Sequence, residues 1–123
     1  MSNHIDLGKE GENEAIKYLK KIGYQILHTN WRSGSYELDI VAQRGEELII
    51  AEVKTRSENS LISPEEAVDN RKIKNIISAT NRYIEMFDVD LPVRFDVISV
   101  IGNAPNFAIE HIEDAFYPPM TTY

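Results

Sequence analysis

The chain has 123 residues, 42% of them hydrophobic and 27% charged, with no cysteine and a formal net charge of -7. This length suits a single domain whose core needs no metal or disulfide staple, and the absence of thiols excludes a disulfide framework and any cysteine-ligated zinc or iron–sulfur centre, in keeping with a reducing cytoplasm. The acidity speaks against a nucleic-acid partner only on average: residues 1–82 carry 12 Lys/Arg against 13 Asp/Glu, while residues 83–123 carry one Arg against seven acids, so a locally basic face is open to the first two-thirds.

The N-terminal MSNHIDLGKEGENE is polar and lacks an apolar signal core, and no apolar run nears the roughly 18 residues of a membrane-spanning helix, so a soluble cytoplasmic protein is expected. Leu7, Gly11, Ala15, Tyr18, Leu19 and Ile22 fall at helical spacing and predict a first helix over about Asp6 to Ile22, stopped by Gly23. Tyr24 to Trp31 reads as a strand, R32-S33-G34-S35 as a turn, and residues 36–56 as two further strands around Gly45. In S63-P64-E65-E66 a capping serine, a proline at the first helical position and a capping-box glutamate predict a second helix running to about Phe87. V93-R94-F95-D96-V97-I98-S99-V100-I101 is apolar on both faces, as a central strand is, and about Phe107 to Ile112 returns along an edge after G102-N103-A104-P105. The order α-β-β-β-α-β-β predicts an α/β domain. Three strands form an antiparallel meander, and a right-handed helical crossover brings strand four parallel to strand three in a mixed sheet flanked by helices.

Asp39, Glu52 and Lys54 interrupt strands otherwise built from Ile, Val, Leu and Ala. Side chains alternate along a strand, so Glu37, Asp39 and Val41 should share one face, and Ile50, Glu52 and Lys54 one face of the next strand. A two-residue turn at G45-E46, with glycine first as a type II′ turn requires, pairs Arg44 with Glu47 and so sets Asp39 opposite Glu52 and Glu37 opposite Lys54. A three-residue turn would scatter the charges. The bland alternative is an exposed cross-strand charge ladder. Against it, like charges directly opposed destabilise a sheet unless a cation lies between them, and aspartate is a residue that strands exclude. Converging carboxylates are the hard oxygen ligands that Mg²⁺ takes, and a neighbouring lysine can stabilise charge developing on a phosphate. The chemistry suggested is metal-assisted hydrolysis of a phosphodiester.

The spacing D39-x12-E52-V53-K54 is similar to the PD-(D/E)xK signature of restriction-endonuclease-like nucleases. Together with G8-x-x-G11-E12-x-x-A15, G23-Y24, N30-W31-R32, E37-L38-D39, P64-x-x-A67-V68 and R94-F95-D96, the chain resembles over nearly its whole length the YraN-like uncharacterised protein family 0102. That family is regarded as a set of predicted endonucleases similar to archaeal Holliday-junction resolvases. The resemblance implies a restriction-endonuclease-like fold, a Mg²⁺ or Mn²⁺ cofactor held by Asp39 and Glu52, Lys54 as catalytic lysine, Glu12 as a helix-borne acid completing the site, and DNA as partner. A junction-cutting role would further imply a homodimer, because a four-way junction needs two coordinated cuts. The glycine usual before the E-x-D triplet is Tyr36 here, a change expected to narrow the approach to the site.

The residues support Glu12 separately, since with Gly8, Gly11 and Ala15 it lies on a small-residue side of the first helix that can approach the sheet. The alternative is an exposed glutamate favoured by the helix dipole. Glu37 becomes an accessory residue opposite Lys54. Arg56 and Lys72 are candidate phosphate contacts, although Lys72 with Arg71 and Lys74 also reads as a solvated helix face. Arg94 and Asp96 are expected to pair structurally, Trp31 to be a core or rim aromatic, and His4, His28 and His111, which lack ligand spacing, to be structural or exposed. A non-catalytic nucleic-acid-binding or protein-interaction module on the same scaffold is the competing function.

Overall fold

A computed structural model describes residues 7–56, 68–103 and 105–117. Its elements are α1 (Leu7–Lys21), β1 (Gln25–Ser33), β2 (Tyr36–Arg44), β3 (Glu47–Arg56), α2 (Asn70–Phe87), β4 (Val93–Asn103) and β5 (Asn106–Ile112), in the predicted α-β-β-β-α-β-β order. The strands form one sheet in the order β1-β2-β3-β4-β5. The first three make an antiparallel meander, β4 lies parallel to β3 after the passage through α2, and β5 returns antiparallel to β4.

Local chemistry sets most boundaries. Gly23, at φ 98, ends α1: its N–H donates to the Lys20 carbonyl and the Tyr24 N–H to the Leu19 carbonyl, and Leu19 and Tyr24 enter the same core cluster. Both hairpins turn on two residues with a left-handed glycine first. Ser33 pairs with Tyr36 around Gly34-Ser35, and Arg44 with Glu47 around Gly45-Glu46. The first turn is thus shorter than the R32-S33-G34-S35 expected, and β1 continues to Ser33.

The second helix needs a correction. The S63-P64-E65-E66 signal lies outside the described residues, but one helix from there to Phe87 is not formed. Asp69 has extended backbone (φ -80, ψ 173) and its carboxylate accepts the Lys72 N–H at 2.9 Å, so it caps a helix that starts at Asn70. Asp69 is itself a strong N-cap, and α2 begins after it.

The sheet is covered on both faces. Ala15 and Leu19 of α1 bury against Ile40, Ala42, Ile49, Ala51, Ile98 and Val100. Ile76, Ala79 and Tyr83 of α2 bury against Leu38, Val41, Leu48, Ile50, Phe95 and Val97. This double coverage explains why the central strands are apolar on both faces. Among the described residues, no helix is long and apolar enough to cross a membrane.

Candidate functional site

The β2–β3 ladder runs from Arg44↔Glu47 to Ile40↔Ala51 and stops there, although both strands go on. Beyond that point β2 stays with β1 as far as Tyr36, and β3 stays with β4 as far as Arg56. The two strands therefore fork, and Asp39 stands at the fork. Its Oδ2 accepts the Val53 N–H at 3.0 Å, a side chain taking the place of a ladder carbonyl. Strict alternation fails at the same place: Leu38 packs with Val41 beneath α2, while Ile40 packs with Ala42 beneath α1. Continuing the observed register by one pair sets Asp39 across from Glu52, as the two-residue turn requires.

Glu52 is only 4% exposed. Burial, and next the charge of Asp39, push its carboxyl pKa up from 4.5 to about 7, and a hydrogen bond with Asp39 acts in the same direction. Two ammonium groups oppose this shift. Lys54 Nζ lies 3.7 Å and Lys72 Nζ 3.5 Å from the same Glu52 Oε1. Lys72 thus reaches this cluster from the first turn of α2, while its side chain stays 40% exposed.

The third carboxylate comes from α1. Gly11 is buried against β3, where a Cβ would overlap Thr55 Oγ1, so only glycine allows the helix to sit this close. The next residue, Glu12, is carried to the edge of the fork. Its carboxyl pKa is raised by burial and by the charge of Asp39, while a hydrogen bond donated by Asn30 Nδ2 works the other way. A cavity of about 670 Å³ gathers these groups, lined by Gly8, Lys9, Glu12, Asn30, Arg32, Asp39, Glu52, Val53, Lys54 and Thr55.

Other residues singled out by sequence lie elsewhere or play other parts. Glu37 does not face Lys54: the ladder has ended, β2 follows β1, and Glu37 Oε2 pairs with Arg32 Nη2 at 3.4 Å. Arg56 Nη2 lies 3.7 Å from Glu110 Oε2 on β5. Tyr36 is absent from the cavity wall. Its ring lies beneath the Arg82 guanidinium, 4.7 Å away. Trp31 packs edge-on against Tyr83 as a rim aromatic. His4 lies outside the described residues.

Arg94 and Asp96 pair as expected, toward the other end of the sheet. Asp96, fully buried, accepts Arg94 Nη2 at 2.8 Å, His111 Nε2 at 2.7 Å and the Asp114 N–H at 3.0 Å. Burial alone would raise its pKa, but the hydrogen bonds from His111, Arg94 and Asp114 outweigh that and hold it below the usual carboxylate range. This network ties β4 to β5 and the turn after it.

Asn30 has no sequence-predicted role, although it stands in the family-like N30-W31-R32 motif. A signal was available, since asparagine is one of few residues that tolerate left-handed backbone. Asn30 adopts φ 51 within β1, and the β1–β2 register passes from Thr29↔Ile40 to Trp31↔Leu38 without a pair at Asn30, the position facing Asp39.

The donor set suits a small hard cation. Among the described residues, no three carboxylate, imidazole or thiolate groups close into a ligand set on their own. Mg²⁺ is usually bound through one or two carboxylates, with water and phosphate oxygens completing the shell. Asp39 and Glu52 fit that requirement: two carboxylates from adjacent strands meet at the fork, and both line the cavity.

The model of a family described as "Uncharacterised protein family UPF0102" matches residues 11–100. A "UPF0102 protein" of Parabacteroides distasonis is 55% identical over 119 residues, covering 97% of this chain and 98% of its own. One of Bacteroides thetaiotaomicron is 55% identical over 120 residues, covering 98% and 99%. A third, from Flavobacterium psychrophilum, is 47% identical over 117 residues, covering 95% and 98%. The chain belongs to the uncharacterised protein family UPF0102.

Proposed function

We propose that the protein is a metal-dependent endonuclease hydrolysing DNA phosphodiester bonds, with branched or junction DNA as its substrate class. The observation that carries this reading is the convergence of carboxylates from three elements, Glu12 of α1, Asp39 of β2 and Glu52 of β3, on one cavity also lined by Lys54. Asp39 and Glu52 would hold Mg²⁺ or Mn²⁺, and Glu12 would supply a further acid. A bound cation would act as a Lewis acid on the phosphate and lower the pKa of a coordinated water.

The chain's own residues account for the rest. Lys54 projects into the cavity beside Glu52 and offers three donors to a phosphate oxygen as negative charge develops there. Lys72, on the other flank of Glu52, and Arg56 are candidate contacts to the backbone phosphates. A PD-(D/E)xK likeness supports the same assignment.

One observation favours a second reading. Lys54 and Lys72 already neutralise Glu52 without a cation, so the centre is also stable as an inert ion cluster in a nucleic-acid-binding or protein-interaction module. Metal separates the two. Mn²⁺ should raise the melting temperature of the wild type, and Asp39→Asn should abolish the rise. Branched, flapped and single-stranded DNA incubated with Mn²⁺ should be cut by the wild type and left intact by Lys54→Ala. DNA binding without any cleavage would favour the inert module, and identical melting shifts in wild type and Asp39→Asn would remove the metal site.

A further inference from the structure

Asn30 combines features that a solvent-facing strand residue would not be expected to have. Its backbone is left-handed at φ 51, although the strand continues to Ser33 on its far side. The interruption falls at the position facing Asp39, and the side chain lines the cavity. Its Nδ2 donates to Glu12 Oε1, the donor end of the amide being the only one that can meet a carboxylate.

We propose that Asn30 is a positioning residue for the metal centre: a local break in β1 aims its amide at Glu12 and fixes that carboxylate in the cavity shared with Asp39 and Glu52. This rests on the metal-site reading above. Extended backbone would send residue 30 to one side or the other of the sheet and restore the pairing with Asp39. The left-handed turn frees it from both. Strain at one residue is thus spent on orienting a group on a different element, a pattern expected of sites in which a carboxylate must be fixed before a cation arrives. Asn30 is assigned no contact with the reacting atoms.

Asn30→Gly is the informative substitution, because glycine accepts the same φ without strain and removes only the amide. Mn²⁺ affinity, measured by calorimetry on the whole chain with the melting temperature of the metal-free protein as control, should fall about tenfold, while the metal-free melting temperature stays level or rises. In a Glu12→Gln background the same substitution should have no further effect on affinity, since Asn30 acts through Glu12. Unchanged affinity in Asn30→Gly would overturn the proposal and leave the metal site standing. An equal loss with and without Glu12→Gln would also overturn it, by assigning Asn30 another route. A wild type that binds no Mn²⁺ would remove the metal-site reading and this proposal with it.

Discussion

Glu52 sits buried beside a second carboxylate and between two ammonium groups. With a folded pKa near 7 against 4.5 ordinarily, the native state binds the extra proton, so this group's contribution to stability is greatest below pH 4.5 and is lost as pH rises through 7. Glu12 shifts in the same direction but is half-exposed and adds less. Asp96, held low, acts oppositely: its contribution is present at neutral pH and is lost only as pH falls below the ordinary carboxylate range. Without divalent metal, stability should fall by roughly 2–3 kcal/mol between pH 5 and pH 8, and Glu52→Gln should flatten much of that slope. Denaturant titrations at the two pH values measure it, and equal slopes in both proteins would show that another group titrates. The meeting of Asp39 with Glu52 was legible because one turn sets it. Glu37 was misplaced because pairing ends at Ile40↔Ala51, three pairs before the ladder would have brought it to Lys54, and nothing in the apolar pattern marks that end. Lys72 looked solvated because only the fold closes its separation from Glu52.

At the scale of elements, the site depends on how closely α1 approaches β3. Gly11 is the contact point, with Thr55 Oγ1 where a Cβ would stand. Gly11→Ala should lift the helix from the sheet at a cost of about 1–3 kcal/mol, seen as a melting temperature several degrees lower. Thr55→Ala in the same chain should recover part of the loss. If Gly11→Ala melts like the wild type, the close approach is not what fixes α1. Because Glu12 follows Gly11 directly, Gly11→Ala should also weaken Mn²⁺ binding beyond its effect on stability. The small-residue side of α1 was readable in the sequence, as were both hairpin glycines. The start of α2 was not, since the sequence offers two capping signals within seven residues and propensity alone does not tell that α2 begins at the second.

Across the whole molecule, charge is sorted along the sheet. The net -7 hides a cavity end where Lys9, Arg32, Lys54 and Lys72 surround the three carboxylates, and where the N-terminal first turns of both helices supply Lys9 and Lys72. Glu46, Glu47, Glu113 and Asp114 lie toward the opposite end, beside the start of β3 and the end of β5, where Arg44 and Arg94 offset part of their charge. A polyanion would therefore find little attraction at one end, while at the other the attraction of the cations is offset by Glu12, Asp39 and Glu52 unless a cation neutralises them. For a metal-dependent nuclease this makes divalent metal a condition of binding as well as of chemistry, the reverse of its ordinary screening of phosphate contacts. Two results should follow in fluorescence anisotropy with labelled branched DNA. Replacing EDTA by Ca²⁺ at constant ionic strength should tighten binding by the wild type. Asp39→Asn in EDTA should bind more tightly than the wild type by about 1 kcal/mol, or severalfold, the Coulomb energy of one charge removed some 8 Å from a phosphate in a wet cleft. Should Ca²⁺ weaken both proteins alike, DNA would be docking away from this cavity, and the segregation of charge would have to serve another partner.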